Sequence, residues 1–133
     1  MDTRLKTAIS LFSGAGGMDV GIQDAGFDVV AANELNADAC NTLRKNHPLT
    51  HIIEGNIEEK LEELSLYQGV DLVFGGPPCQ GFSVAGKMDI NDPRSKLIFT
   101  FLDVVKLVKP KAFIMENVKP LATLEKFENI RNK

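Results

Sequence analysis

The loop around Cys79 carries the strongest sign of chemistry in this chain. The cysteine follows an apolar run of strand length, two glycines and two prolines, and the polar residues Gln80 and Ser83 come soon after it. Glycine permits a ligand to approach closely, while proline fixes φ and removes a backbone donor, so the stretch is typical of a loop. A free cysteine is often a small buried hydrophobe, and packing is the alternative role. The polar neighbours fit a core poorly, and we therefore predict a thiol presented at a loop tip.

A glycine-rich turn between a strand and a helix forms a second candidate site. It lies within residues 12–17, and Glu34 stands 20 residues beyond Gly14. Amide groups at a helix start can hold an anion, and a carboxylate after the next strand can accept hydrogen bonds from ribose hydroxyls. Read as the dinucleotide fingerprint G-x-G-x-x-G, the third position is Asp19. The turn therefore favours a cofactor with a small carboxylate, such as S-adenosylmethionine, over a pyrophosphate.

Alternating strand and helix patterns must position these groups. Apolar runs predict strands over 7–12, 27–34, 52–54, 70–75 and 112–115, and 3.6-residue periodicity predicts helices over 18–25, 36–46, 56–64 and 92–108. Such alternation predicts right-handed βαβ units in one α/β domain spanning 1–133, a doubly wound, mostly parallel sheet with helices on both faces. Ligands bind at the carboxyl ends of the strands in such sheets. The glycine turn, Glu34, the segment 55–57, the Cys79 loop and Glu116 with Asn117 all follow strands, and we expect them at one edge.

Composition limits the other possibilities. Fifteen basic and 18 acidic side chains give a net charge of −3, so the charge offers no reason to expect tight nucleic-acid binding by the whole domain. Cys40, Cys79, His47 and His51 match neither a disulfide framework nor a metal-site spacing. No apolar run approaches the roughly 18 residues of a membrane span, and the N-terminal residues lack a signal-peptide pattern. We expect a cytosolic chain without a metal.

Taken together and in order, these motifs resemble the N-terminal catalytic half of a bacterial-type DNA (cytosine-5)-methyltransferase. The resemblance extends over residues 7–118 and rests on the following segments: Phe12-Ser13-Gly14-Ala15-Gly16-Gly17 with Gly21, Glu34, Gly55-Asn56-Ile57, Gly76-Pro77-Pro78-Cys79-Gln80-Gly81-Phe82-Ser83, Arg94-Ser95 with Leu97, and Glu116-Asn117-Val118.

The resemblance implies a Rossmann-like methyltransferase fold that binds S-adenosylmethionine. Phe12 would pack against adenine, Glu34 would hold the ribose, and the amides of residues 14–17 would hold the methionine carboxylate. The family usually has aspartate where this chain has Asn56, which is expected either to contact adenine or to act as a plain helix N-cap. The full set of expected cofactor contacts is Phe12, Ser13, Gly14, Ala15, Gly16, Gly17, Glu34, Leu35, Asn56, Ile57, Pro77 and Leu97.

The resemblance also implies a mechanism. Cys79 would add to carbon 6 of a cytosine flipped out of DNA, which activates carbon 5 toward the methyl group of the cofactor. Glu116 would donate a proton to ring nitrogen 3, a role that a raised pKa would serve. Asn117 would orient the loop, and Gln80 completes the expected catalytic set.

Several family features are not found after Glu116-Asn117-Val118, so the fold is expected to be truncated after the fifth strand. These features are further strands, a Gln-x-Arg-x-Arg segment, a target-recognition region and a closing helix. A fragment, one subunit of a split enzyme and a degenerate product all remain open, as do an enzyme acting with a complementary subunit, an inert cofactor-binding module and an RNA-methylating relative. We expect the chain alone to be inactive, to bind the cofactor weakly and to self-associate through the edge of the fifth strand.

The remaining candidates have plainer roles. Cys40 is expected to pack in a helix, and His47 and His51 are expected at the surface. Arg94 is expected to contact a phosphate, to hold the cysteine loop or simply to be exposed.

Overall fold

A computed structural model describes residues 6–77 and 96–116. The strands are β1 (Lys6–Leu11), β2 (Phe27–Glu34), β3 (His51–Glu54), β4 (Leu72–Gly75) and β5 (Ala112–Met115). The α-helices are α1 (Gly17–Asp24), α2 (Ala37–Asn46), α3 (Leu61–Leu64) and α4 (Lys96–Val108), and two 3₁₀ turns cover Ile57–Glu59 and Ser65–Tyr67.

The five strands form one parallel sheet in the order β3-β2-β1-β4-β5. The strand order reverses between β1 and β4, where Leu11 pairs with Gly75. In sheets of this kind, the crevice beyond the strand ends at the reversal is the usual ligand site. The predicted α/β class and parallel sheet are confirmed.

Apolar side chains cover both faces of the sheet. On one face, Ile9 and Leu11 pack in a core with residues of α4 and of the segment after β3. On the other face, Ala8 and Phe74 pack in a second core with Met18 and Ile22 of α1. Neighbouring strand residues point to opposite faces, so the two cores alternate along β1. The doubly wound arrangement follows from this two-sided burial.

Helix α2 begins and ends where its sequence predicts. The Asn36 side chain accepts a hydrogen bond from the Ala39 amide at 2.9 Å, as an N-cap does. The helix ends at Asn46, with His47 as its C-cap and Pro48 next. Cys40 is fully buried in α2, which confirms its packing role, and its thiol donates to the Glu34 carbonyl at 3.3 Å.

The segment after β3 departs from the predicted helix over 56–64. It forms a 3₁₀ turn, a single turn of α-helix and a second 3₁₀ turn. Lys60, at φ −114° and ψ 11°, lies outside the helical region and interrupts the pattern, yet Ile57 and Leu64 are both buried. Burial of the two side chains on the core therefore wins over a continuous run of helical hydrogen bonds.

The surface prediction for His47 is wrong, whereas that for His51 is confirmed. Only 6% of His47 is exposed, because its ring lies beneath the glycine turn, where a Cβ on Gly16 would lie 3.0 Å from Nε2. His51 is exposed, and its Nε2 lies 2.6 Å from a carboxylate oxygen of Glu63. A proline turn after a helix was a poor guide to exposure here.

The described part of the chain has neither a membrane-spanning helix nor a cluster of metal-ligating side chains. No helix within residues 6–77 and 96–116 combines the length and apolar character that a membrane crossing requires. The same residues contain no group of three or more histidine, cysteine or acidic side chains placed to hold a metal ion. The predicted helix start at Asp92 and Pro93 lies outside the described residues.

Candidate active site

A cleft of about 310 Å³ opens at the carboxyl ends of β1, β2, β3 and β4. This volume falls at the lower end of the range typical of small-molecule pockets, roughly 300–1,000 Å³. Its walls combine apolar side chains with backbone groups and a carboxylate. The lining residues are Phe12, Gly14, Asn33, Glu34, Leu35, Gly55, Asn56, Ile57, Gly76 and Leu97.

Glu34 is held in place by the backbone on either side of the cleft. Its Oε1 accepts from the Gly14 amide at 2.8 Å, and its Oε2 accepts from the Asn36 amide at 2.8 Å. A carboxylate has about four acceptor positions, so both oxygens keep capacity for donors on a ligand. The carboxylate is thus oriented before any ligand arrives.

The turn after β1 has an unusual backbone. Phe12 has a φ of 53°, a left-handed conformation that a bulky residue rarely adopts, and Gly14 and Gly16 follow at 57° and 94°. Such outliers occur preferentially at functional sites, where the surrounding structure holds them. The conformation leaves the Phe12 ring half-buried, packed against the core and lining the cleft.

The turn after β3 forms the opposite wall. The Gly55 amide donates to the Glu34 carbonyl at 2.9 Å, which ties this turn to the end of β2. The Asn56 side chain accepts from the Glu58 amide at 3.0 Å, so it caps the following 3₁₀ turn while also lining the cleft. The N-cap alternative for Asn56 is therefore present in the structure.

A smaller cavity of about 140 Å³ adjoins the cleft and contains Glu116. Phe12 and Gly76 line both spaces, so the two are neighbours. Glu116 follows β5 directly, is exposed, and donates its amide to the Gly75 carbonyl at 2.8 Å. That bond fixes the acid at the strand end.

Buried polar groups form the floor of the smaller cavity. Asp19 is 1% exposed and accepts from the Ser10 hydroxyl at 2.8 Å, and the Ser10 and Ser13 hydroxyls lie 2.7 Å apart. Burial raises the pKa of the Asp19 carboxyl, although the Ser10 hydrogen bond and the nearby His47 oppose the shift. This network connects the start of α1 to the glycine turn.

The structure brings many of the predicted site residues together. Phe12, Gly14, Glu34, Leu35, Asn56, Ile57 and Leu97 line the cleft, whereas Ser13 and Glu116 line the smaller cavity. Ala15, Gly16, Gly17 and Pro77 line neither space. Cys79, Gln80 and Asn117 lie outside the described residues.

Three residues that line the cleft, Asn33, Gly55 and Gly76, were not among the cofactor contacts predicted from the sequence. Gly55 and Gly76 stand in the strand-end segments already singled out. Asn33 carried a signal of its own, because a polar residue at the end of an apolar strand is typical of the ligand-binding edge.

The family model of C-5 cytosine-specific DNA methylases matches residues 6–133. The chain belongs to this family. Members of the C-5 cytosine-specific DNA methylase family depend on S-adenosylmethionine. The family and the cofactor predicted from the sequence are thereby confirmed.

Curated relatives of this family member are bacterial. The chain is 49% identical over 128 residues to the type II methyltransferase M.AquIA of Picosynechococcus, a match that covers 91% of this chain and 52% of that protein. It is 46% identical over 111 residues to the type II methyltransferase M.NgoPII of Neisseria gonorrhoeae, covering 83% of this chain and 32% of that protein. The chain thus spans about half or less of the length of these relatives.

Solved structures of similar proteins share the fold. A DNA modification methyltransferase encoded within an E. coli prophage superposes with a TM-score of 0.73 at 35% identity, covering 96% of this chain and 36% of that one. The Dnmt2 methyltransferase of S. pombe gives a TM-score of 0.71 at 25% identity, covering 98% of this chain and 39% of that one. The Rossmann-like methyltransferase fold predicted for the chain is confirmed.

The residues present fit S-adenosylmethionine. The apolar side chains of Phe12, Ile57 and Leu97 surround a space that can take a purine ring, and Glu34 offers carboxylate acceptors beside them. The cleft has an acceptor and apolar walls in the combination that a nucleoside requires.

Proposed function

We propose that this family member transfers the methyl group of S-adenosylmethionine to carbon 5 of cytosine in DNA. One observation carries the proposal: a cleft fitted to a nucleoside and a cavity containing Glu116 share two wall residues, Phe12 and Gly76. Methyl transfer requires the cofactor and the base to meet, and two adjoining spaces at one sheet edge provide that proximity.

Binding of the cofactor would use the strand-end residues. When bound, S-adenosylmethionine supplies an electrophilic methyl group. Glu34 would accept hydrogen bonds from the ribose hydroxyls, since the Gly14 and Asn36 amides already orient its carboxylate. Phe12 and Ile57 would enclose the adenine from the turns after β1 and β3. Asn56 would contribute mainly as the cap of its turn, because its side-chain oxygen already accepts from Glu58.

Cys79 would be the nucleophile. Its thiolate adds to carbon 6 of the cytosine while ring nitrogen 3 takes a proton from Glu116, which makes carbon 5 nucleophilic. Carbon 5 would then take the methyl group, with S-adenosylhomocysteine as the leaving group. The proton of carbon 5 would pass to a solvent base, the carbon–sulfur bond to Cys79 would break, and Glu116 would recover its proton from ring nitrogen 3. Gln80 and Asn117 would position the loop and the base. Addition to carbon 6 needs access to the ring face, so the base must be flipped out of the duplex.

Productive binding of DNA would require further family segments, supplied by this polypeptide or by a complementary subunit. The matched region corresponds to 52% of M.AquIA and 32% of M.NgoPII, so those relatives have much more chain with which to hold a duplex. A net charge of −3 gives little phosphate affinity by itself. We therefore propose that the 133 residues alone bind cofactor weakly and are inactive.

The edge of β5 supports a proposal of self-association. Among the described residues, β5 pairs with β4 alone, and Ala112, Phe113 and Ile114 are exposed. Unpaired strand edges with apolar side chains tend to pair with another chain. A second copy or a complementary subunit would satisfy this edge.

A product assay tests the proposed function. The chain, alone and with its complementary polypeptide, is incubated with methyl-labelled S-adenosylmethionine and either duplex DNA or RNA, and the nucleosides are separated by mass spectrometry. We expect labelled 5-methylcytosine from DNA with the complemented protein. Label in RNA alone would favour an RNA-methylating role, and cofactor binding without transfer to either substrate would favour an inert module.

A further inference from the structure

Asn33 is a buried polar side chain that the proposed mechanism does not use. It lies in β2 next to Glu34, pairs in register with Leu11 of β1 and Ile53 of β3, and is 2% exposed. It also lines the cleft. Buried side-chain amides are normally hydrogen-bonded, so each polar atom of Asn33, at the carboxyl end of a central strand, should have a partner.

The nitrogen of this amide ties the turn after β3 to β2. Nδ2 donates to the Ile53 carbonyl at 2.7 Å and to the Gly55 carbonyl at 3.1 Å. Because both partners are acceptors, the amide has one permitted orientation and cannot be flipped. Two carbonyls therefore determine where the side-chain oxygen points.

The backbone carbonyl of Asn33 holds the turn after β1. It accepts from the Ser13 amide at 3.4 Å and from the Ser13 hydroxyl at 3.3 Å. Through its side chain and its carbonyl, Asn33 connects the two turns that carry Phe12 and Ile57, which form facing walls of the cleft.

The oxygen Oδ1 accepts no hydrogen bond from any residue that the structure describes. In residues 6–77 and 96–116, no buried side-chain nitrogen or oxygen lacks a partner. An oxygen without a partner must therefore keep some accessibility, and Asn33 is one of the residues that line the cleft. Oδ1 is thus a fixed acceptor open to a ligand in the cleft.

We propose that Asn33 is a ligand-binding residue whose Oδ1 accepts a hydrogen bond from the nucleoside of the cofactor. The proposal rests on the proposed function, since it places S-adenosylmethionine in this cleft. An amide oxygen selects a donor, and the nucleoside has donors in the two ribose hydroxyls and the adenine amino group. The adjacent Glu34 is the expected ribose acceptor, so Asn33 adds a second acceptor beside it.

Ligand analogues identify the donor and separate direct contact from a structural role. Binding of S-adenosylhomocysteine to the full chain is measured by calorimetry, together with its 2′-deoxy, 3′-deoxy and N6,N6-dimethyl forms and a form lacking the α-amino group of the homocysteine part. The series is repeated with Asn33→Ala. The control is Thr50→Val, because Thr50 is also buried and donates to the Val29 carbonyl at 2.7 Å without lining the cleft.

We expect wild type and Thr50→Val to bind one nucleoside analogue roughly tenfold more weakly than they bind S-adenosylhomocysteine. Asn33→Ala should bind that analogue and S-adenosylhomocysteine equally well. Removing the Asn33 amide or removing the donor of the nucleoside would then break the same hydrogen bond. If all analogue penalties remain in Asn33→Ala, Asn33 has a purely structural role and the proposal is wrong. Coupling confined to the form lacking the homocysteine α-amino group would also overturn it, because that group lies outside the nucleoside.

A measurement on the wild-type chain covers the case in which Asn33→Ala does not fold. With ¹³C- and ¹⁵N-labelled asparagine, the Asn33 side-chain carbonyl resonance should shift with S-adenosylhomocysteine and fail to shift with the analogue that lacks the donor. An equal shift with every analogue would contradict the contact. If the wild-type chain binds none of these ligands, the proposed function fails together with this inference. If the chain binds them, but the losses caused by Asn33→Ala and by each analogue simply add, only the proposed role of Asn33 is wrong.

Discussion

The carboxylate of Glu34 accepts a hydrogen bond from the Gly14 amide at 2.8 Å, which joins the end of β2 to the glycine turn after β1. The residue expected to hold the ribose is therefore also a structural part of the turn that encloses the cofactor. Loss of this side chain should affect the shape of the cleft as well as the contact with a ligand.

Glu34→Ala should weaken S-adenosylhomocysteine binding roughly 10- to 100-fold, because hydrogen bonds to a charged acceptor contribute about 1.5–3 kcal/mol. Calorimetry checks this. Glu54→Ala is the matched control, since Glu54 pairs with Glu34 in register at the end of β3 but binds the exposed Arg44. Equal losses in the two variants would mean that Glu34 has no special role.

Gly75→Ala should destabilise the fold far more than Gly76→Ala. A Cβ on Gly75 would overlap the Leu11 carbonyl oxygen, so β4 would have to move away from β1, whereas the nearest atom to a Cβ on Gly76 is 3.5 Å away. Overpacking of this kind costs about 1–3 kcal/mol or more. Urea unfolding of both variants measures the difference, and similar midpoints would show that β1 and β4 are not so closely paired.

The free energy of unfolding of Asp19→Asn, relative to that of wild type, should increase as the pH rises above 3.8. Burial raises the pKa of Asp19 in the folded state above its ordinary value of 3.8. The folded state then binds more protons than the unfolded state above pH 3.8, so the contribution of Asp19 to stability falls until the pH passes the folded pKa. Unfolding free energies from pH 4 to 7 test this, and a pH-independent difference would contradict a raised pKa.

Ile114→Lys should reduce the proposed self-association. Ile114 is 46% exposed on β5, and lysine on a strand edge opposes pairing with another chain. Its neighbour Phe113 contacts the Phe101 ring at a centroid distance of 6.2 Å and is left unchanged to preserve that packing. Sedimentation should show a smaller average mass for this variant, and Leu49→Lys, at a site 94% exposed in the turn before β3, should leave the mass unaltered.

The sequence predicted the sheet and its ligand edge well, because alternating apolar strands and amphipathic helices have few arrangements that bury both patterns. It also predicted the ends of α2, since Asn36 and Pro48 act locally. The segment after Asn56 was harder, because the apolar spacing of Ile57, Leu61 and Leu64 suits one helix, while the core accommodates three short turns.

Residues whose roles depend on tertiary contacts were not predictable in the same way. His47 is buried because the glycine turn crosses it, a contact between segments about 30 residues apart. Asn33 ties together turns that follow two other strands, and no local pattern specifies those partners. Glu34 was predicted as a ligand group, yet its bonds to two backbone amides became visible only in the fold.

Covalent trapping on DNA tests the central claim most directly. A duplex with 5-fluorocytosine at the target leaves no proton to remove after methylation, so the Cys79 adduct should persist. With S-adenosylmethionine and its complementary polypeptide, the chain should give a covalent complex whose linkage maps to Cys79 by mass spectrometry, and Cys79→Ser should give none, because a hydroxyl leaves almost no anion to attack. The account predicts no adduct from the 133 residues alone, and efficient trapping by them would contradict the need for further segments. A complemented protein that methylates DNA without any Cys79 adduct would contradict the proposed mechanism.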